Sequence, residues 1–158
     1  MKVVINKCFG GFSLSPYGVQ RLAELRGDEC YFFVQDYKQG GVDAPYRLVT
    51  VDEAAKSFMF SAFKTVNPND ELRRLENWHE QPLETRKAWN EKYQSLSNSE
   101  RDIDRHDPLL VKTVEELGEQ VNGQCAKLVV VEIPDGVEYE ISEYDGNEHI
   151  AEVHRTWA

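Results

Sequence analysis

The hydrophobic pattern changes period several times along the chain, and each change marks an element. Lys2-Val3-Val4-Ile5-Asn6 is a β-branched run, apolar at successive positions, which predicts a strand buried on both faces. It stops at Phe9-Gly10-Gly11-Phe12, where two glycines open backbone angles that other residues avoid. Ser15-Pro16 predicts a helix start, with Ser15 as N-cap and proline at the first helical position. Val19, Leu22, Ala23 and Leu25 give that helix its apolar face, and Arg26-Gly27 ends it. Residues 30–34 predict a second buried strand and 46–51 a third, joined by a glycine- and proline-containing loop over 39–45. Asp52 is the expected cap of a short helix over 53–56, while 58–63 fits helix and strand equally.

Between Asn67-Pro68 and His106-Asp107-Pro108 the pattern turns polar, charged and rich in helix formers. It predicts two helices, 71–79 and 82–96, broken at Gln81-Pro82. Leu72, Leu75 and Trp78 share helical spacing, as do Trp89, Tyr93 and Leu96, and the stripes are narrow, which places these helices on the outside of the fold. Residues 97–102 read as a linker. Asp107-Pro108 opens a further helix with Leu109, Leu110, Val111, Val114, Leu117 and Val121 on one face, ended by Asn122-Gly123. Residues 127–133 are the strongest strand signal. After Pro134-Asp135-Gly136, Val137, Tyr139 and Ile141 alternate with polar residues, Tyr144-Asp145-Gly146-Asn147 predicts a tight hairpin turn, and 149–157 returns as a last strand, with the Ile150, Val153 and Trp157 spacing also allowing a helix.

This order predicts an α+β fold: one compact domain over 1–158, a mixed β-sheet with a C-terminal antiparallel meander, packed helices and a helical arm inserted at 67–106. The first strand and the helix after it call for a crossover connection.

With 158 residues, 41% of them hydrophobic, the chain can bury a core without disulfides. Three scattered cysteines fit neither a disulfide framework nor a zinc knuckle, no run reaches membrane-spanning length, and the start has no signal-peptide pattern. A soluble, cytoplasmic protein is expected. The 28 acidic residues against 18 Lys and Arg give a net charge of −10, which disfavours direct nucleic-acid binding.

Candidate chemistry falls in two places. Around Phe9, Gly10, Gly11 and Phe12, a glycine turn between strand and helix lets backbone N–H groups converge on an anion, with Lys7, Ser13, Ser15 and, from a distant segment, Arg47 as added donors. The turn matches neither GxGxxG nor the Walker pattern, so a phosphate-bearing ligand competes with a turn whose phenylalanines plug the core. The second place is acidic. Eight carboxylates lie between Glu132 and Glu152 with no Lys or Arg among them. Glu138, Glu140, Glu143 and Asp145 form its centre, suited to a basic partner, to a bound cation or to a solvated edge that discourages aggregation. Cys8 has no histidine at a meaningful spacing, and His79, His106, His149 and His154 form no metal motif, so neither a nucleophile nor a metal or other cofactor is expected.

The segments Lys2-Val3-Val4-Ile5-Asn6-Lys7-Cys8-Phe9-Gly10-Gly11-Phe12-Ser13-Leu14-Ser15 and, near the other end, Glu140-Ile141, Glu143-Tyr144-Asp145-Gly146, Ile150-Ala151-Glu152 and His154-Arg155-Thr156-Trp157 resemble a family of small, uncharacterised phage and prophage proteins. The block from Asp107 to Pro134 is similar as well, so the resemblance covers about 1–35 and 107–157. It implies a phage setting, inside the host cytoplasm, and carries over no catalytic residue. The expected function is non-enzymatic binding in host takeover or counter-defence. One form sequesters a phosphate-bearing molecule such as a nucleotide signal at the glycine turn; the other docks the acidic hairpin on a basic host protein. A small hydrolase or transferase is the third reading, and a homo-oligomer stays open.

Overall fold

The computed structural model describes residues 1–40, 43–99, 102–154 and 157. In chain order its elements are β1 (Lys2–Asn6), α1 (Pro16–Arg26), β2 (Tyr31–Gln35), α2 (Tyr37–Gly40), β3 (Tyr46–Val49), α3 (Val51–Lys56), β4 (Ser61–Phe63), α4 (Pro68–Glu71), α5 (Leu83–Leu96), α6 (Pro108–Leu117), β5 (Leu128–Glu132), β6 (Tyr139–Tyr144) and β7 (Asn147–Glu152). Short 3₁₀ turns cover Trp78–Glu80 and Gly118–Val121. The fold is α+β. It divides into two units, Met1–Arg26 with Asp102–Ala158, and Gly27–Arg101.

In the first unit β1 pairs antiparallel with β5, from Lys2 opposite Glu132 to Asn6 opposite Leu128. One face of this ribbon, with Val4, Leu128 and Val130, packs on Leu22 of α1 and on Leu110, Val111 and Val114 of α6. α1 begins as its sequence requires: the Ser15 hydroxyl accepts from the Gly18 N–H at 3.2 Å. α6 is capped by Asp107, whose carboxylate accepts from the Leu109 N–H at 2.8 Å. Burial works against the Asp107 anion, but that N–H and the Arg26 guanidinium, 2.9 Å away, outweigh it and hold its pKa below the usual carboxylate range. Gly118, at φ 57, stops the α-helix, so the stretch up to Val121 is 3₁₀ rather than the α-helix expected there.

The expected mixed sheet with a terminal meander is corrected to separate antiparallel sheets: β1 with β5, β6 with β7, and the order β3-β2-β4. The reason is burial. Val3, Val4 and Ile5 are all buried, so β1 needs cover on both faces. Helices cover one face, and β7 packs beside β1 instead of extending β5 sideways. The hairpin itself forms, but β6 starts two residues later than expected and β7 ends at Glu152. Asp145 at φ 48 and Gly146 at φ 85 make the two-residue turn, which favours residues of this kind. Residues 155 and 156 of the expected last strand lie outside the described residues.

In the second unit β2 pairs with β3 and with β4, which resolves 58–63 as a strand over its last three residues. Phe33, Phe63 and Leu72 form the core, with Tyr46, Trp89, Tyr93 and Leu96 packed on it. Tyr46 and Tyr93 meet Phe63 edge-on, at ring distances of 5.1 and 5.6 Å, a favoured aromatic geometry. Burial, then the neighbouring Tyr93 and Tyr37 phenols, push the Tyr46 phenol up to about 12. The aromatic stripe of α5 therefore seals a core rather than lying outside one. The helix expected over 71–79 is not continuous. α4 ends at Glu71, and the Leu72 carbonyl accepts from the Trp89 indole at 3.0 Å. Asn77 takes a left-handed conformation, and Arg74 lies over the rings of Trp78 and Trp89. α3 is capped by Thr50, not Asp52: the Thr50 hydroxyl accepts from the Glu53 N–H at 3.2 Å, and Asp52 sits in the first turn. Of the loop expected at 39–45, residues 41 and 42 lie outside the described residues. Among the described residues, no helix is long and apolar enough to cross a membrane.

Candidate functional site

The glycine turn is brought together with the hairpin tip. The Gly10 N–H donates to the Asp145 carbonyl at 2.9 Å. A Cβ on Gly146 would sit 2.1 Å from the Gly11 nitrogen, and one on Gly10 would sit 2.6 Å from the Cys125 Cβ. Glycine at these positions thus serves a close approach of three loops. Ser13 faces the 123–124 loop, where its carbonyl accepts from the Gly123 N–H at 3.0 Å. The Ser15 hydroxyl caps α1 and donates to the Gln120 carbonyl. Phe12 is half-buried against the core with the Arg105 guanidinium 3.6 Å above its ring, and Phe9 is exposed. Lys7 points elsewhere, donating to the Glu148 carbonyl at 3.2 Å. Arg47 belongs to the second unit, on β3, where it is exposed and lies 3.9 Å from Glu53. The donors just named are engaged within the chain, and the nearest new neighbour of the turn, the hairpin tip, carries carboxylates.

The acidic cluster is divided by the fold. Glu148 is buried at 7% exposure, and its carboxylate accepts from both Arg105 Nη atoms at 2.7 and 2.9 Å and from the Asn6 N–H at 2.8 Å. Arg105 also closes the β1 edge, since its carbonyl accepts from the Val4 N–H at 2.8 Å. Glu143 accepts from the Gly146 N–H at 2.6 Å, bracing the turn. Asp135 lies 2.7 Å from the Met1 amino group, which lowers its pKa. Glu132, Glu138, Glu140, Asp145 and Glu152 are exposed. Of the four expected partner residues, Glu138 and Glu140 remain outward-facing without a turn to support.

Between the hairpin and the second face of the β1-β5 ribbon lies a groove of about 450 Å³. Ile5, Val129, Val131 and Ile133 line it from the ribbon. Val137, Tyr139 and Ile150 line it from the hairpin, with Lys7, His149 and Glu152 as its polar members. The size is that of a ligand-binding cleft, apolar with a few convergent polar groups. The Tyr139 hydroxyl lies 2.7 Å from His106 Nδ1, itself 3.0 Å from Asp104. Burial and then the Asp104 carboxylate raise the Tyr139 pKa, against Arg105. Such a groove can hold apolar side chains and orient them with hydrogen bonds.

Sequence reasoning missed this site, because a valine run on a strand reads as core. The signal for it was partial: β5 is apolar on both faces, yet Val129, Val130 and Val131 are only half-buried. Glu148 lies within the acidic run between Glu132 and Glu152, and nothing local in the sequence marks it for burial against Arg105. Comparison with protein-family models, curated proteins and solved structures finds no match for this chain.

Proposed function

We propose that the chain is a non-catalytic accessory protein that works by binding, and that it receives a basic, partly apolar segment of another protein. The observation that carries this reading is the apolar groove with the exposed Glu152 carboxylate in its lining, on a hairpin whose other face carries the exposed Glu138 and Glu140. Apolar contact supplies affinity there, while opposite charge speeds encounter and rejects acidic competitors. The phage setting, and with it a role in host takeover or counter-defence, rests on the resemblance of the chain's two ends. Sequestration of a phosphate-bearing molecule at the glycine turn is the weaker reading, since the Gly10 N–H and the Ser15 hydroxyl are committed within the chain.

The test uses a defined probe, a six-residue peptide alternating lysine and valine with blocked ends, titrated into isotope-labelled protein. Amide shifts should centre on Val129, Val131, Tyr139 and Ile150, and affinity should fall steeply with salt. A glutamate–valine peptide should not bind. Equal binding of both peptides, or none by the basic one, would overturn the reading.

A further inference from the structure

We infer that the segment held in this groove binds as an added β-strand on the open edge of β7. The inference rests on the binding reading above and assigns its partner an extended, main-chain-recognised conformation.

The argument follows from the hydrogen-bond phase of the hairpin. In an antiparallel pair, residues bonded to the partner strand alternate with residues whose N–H and C=O point to the other edge. Tyr144 faces Asn147 across the two-residue turn, and the Val153 N–H donates to the Glu138 carbonyl at 2.9 Å. Residues 147, 149, 151 and 153 therefore bond inward to β6, and Glu148, Ile150 and Glu152 present their backbone groups outward. The outward edge meets the groove at its first member: Lys7, which lines the groove, donates its Nζ to the Glu148 carbonyl. Further along, Ile150 and Glu152 also line the groove. Among the described residues, nothing bonds their outward N–H and C=O groups.

The same phase analysis of the β1-β5 ribbon shows how this protein treats an edge it closes. There Val4, Asn6 and Leu128 point outward, and their N–H groups are taken by the Arg105 carbonyl, the Glu148 carboxylate and the Asn122 side chain. Among the described residues, no such substitute serves Ile150 or Glu152. A two-stranded hairpin is marginal alone and gains from a third strand. An extended segment pairing there presents alternate side chains, one set toward Ile5, Val129 and Val131 and the other toward water. Charge selects the second set. Glu138 and Glu140 are exposed on the hairpin face turned away from Tyr139 and Ile150, so lysine or arginine at the alternate positions is matched.

Backbone methylation separates strand addition from simple groove filling. Two versions of the lysine–valine peptide carry N-methyl groups on all lysine amides or on all valine amides, which blocks one strand edge in each. One version should bind like the parent and the other at least roughly tenfold more weakly, from the loss of two main-chain bonds. The parent's amide shifts should include Ile150 and Glu152. A protein-side variant gives the same readout: Glu152→Pro removes an outward N–H from an edge strand, where proline is tolerated, and should lose more affinity than Glu152→Gln. Melting curves of both variants verify folding. If both methylated peptides bind like the parent, or if the shifts fall on the outer edge of β5 at Val130 and Glu132, the strand-addition inference is overturned while the groove reading survives. If the unmethylated peptide leaves the groove unperturbed, both fall.

Discussion

Glu148 is where a single substitution should be most informative about how the hairpin is held. Its carboxylate makes three bonds, two from Arg105 and one from the Asn6 N–H, at 8% side-chain exposure against 21% for Arg105. Removing one member of a buried ion pair costs about 3–5 kcal/mol, because the other charge is left buried and unpaired. Arg105 keeps some water and its contact with the Phe12 ring, so Glu148→Ala belongs near the lower end, about 3 kcal/mol. Glu148→Gln retains one acceptor and should cost roughly 2 kcal/mol. The control is Glu115→Gln, which breaks the exposed Lys2–Glu115 pair and should leave stability close to the parent's. Because the chain forms two units, the assay should be local as well as global: urea unfolding together with hydrogen exchange at the Val4 and Asn6 amides. Both amides should lose protection in Glu148→Gln and keep it in Glu115→Gln. Equal stability and unchanged protection in the two variants would refute the buried latch.

Other substitutions test the turn, the caps and the second core. Gly146→Ala places a Cβ 2.1 Å from the Gly11 nitrogen, whereas Gly11→Ala meets nothing within 4 Å, so the first should cost clearly more stability although both glycines have positive φ; the reverse order in urea unfolding would contradict the docked tip. The Asp107 pKa is depressed in the folded chain, so its stabilisation is complete above the unfolded pKa and is lost as the pH falls through the folded one; Asp107→Asn should flatten the acid limb of a pH–stability curve. Tyr46 titrates near 12 when folded against about 10 unfolded, so its contribution is complete below 10 and lost as pH rises toward 12; Tyr46→Phe should reduce the alkaline loss of stability. Millimolar phosphate or nucleotide should leave the melting temperature unchanged, and a rise would return the glycine turn to first place as the site.

Local chemistry made several elements legible in the sequence by itself. Ser15-Pro16 and Asp107-Pro108 carry cap, proline and apolar stripe within a few residues, and α1 and α6 begin there. Asp145-Gly146 carries its own turn preference, and the hairpin follows. These signals are short-range, so nothing distant can override them cheaply. Pairing and cover were decided by the tertiary structure. The run at 128–132 specifies a strand but not its partner, and only the need to bury Val3 and Ile5 on the far side of β1 brings the hairpin against the ribbon instead of beside β5. The same long-range packing separated carboxylates that look alike in sequence: Glu148 became a buried latch because Arg105 and the Asn6 N–H meet it, while Glu138 and Glu140 stayed in water. A charge in the sequence has no environment of its own; its desolvation and its partner come from residues more than forty positions away, which only the folded chain brings into reach.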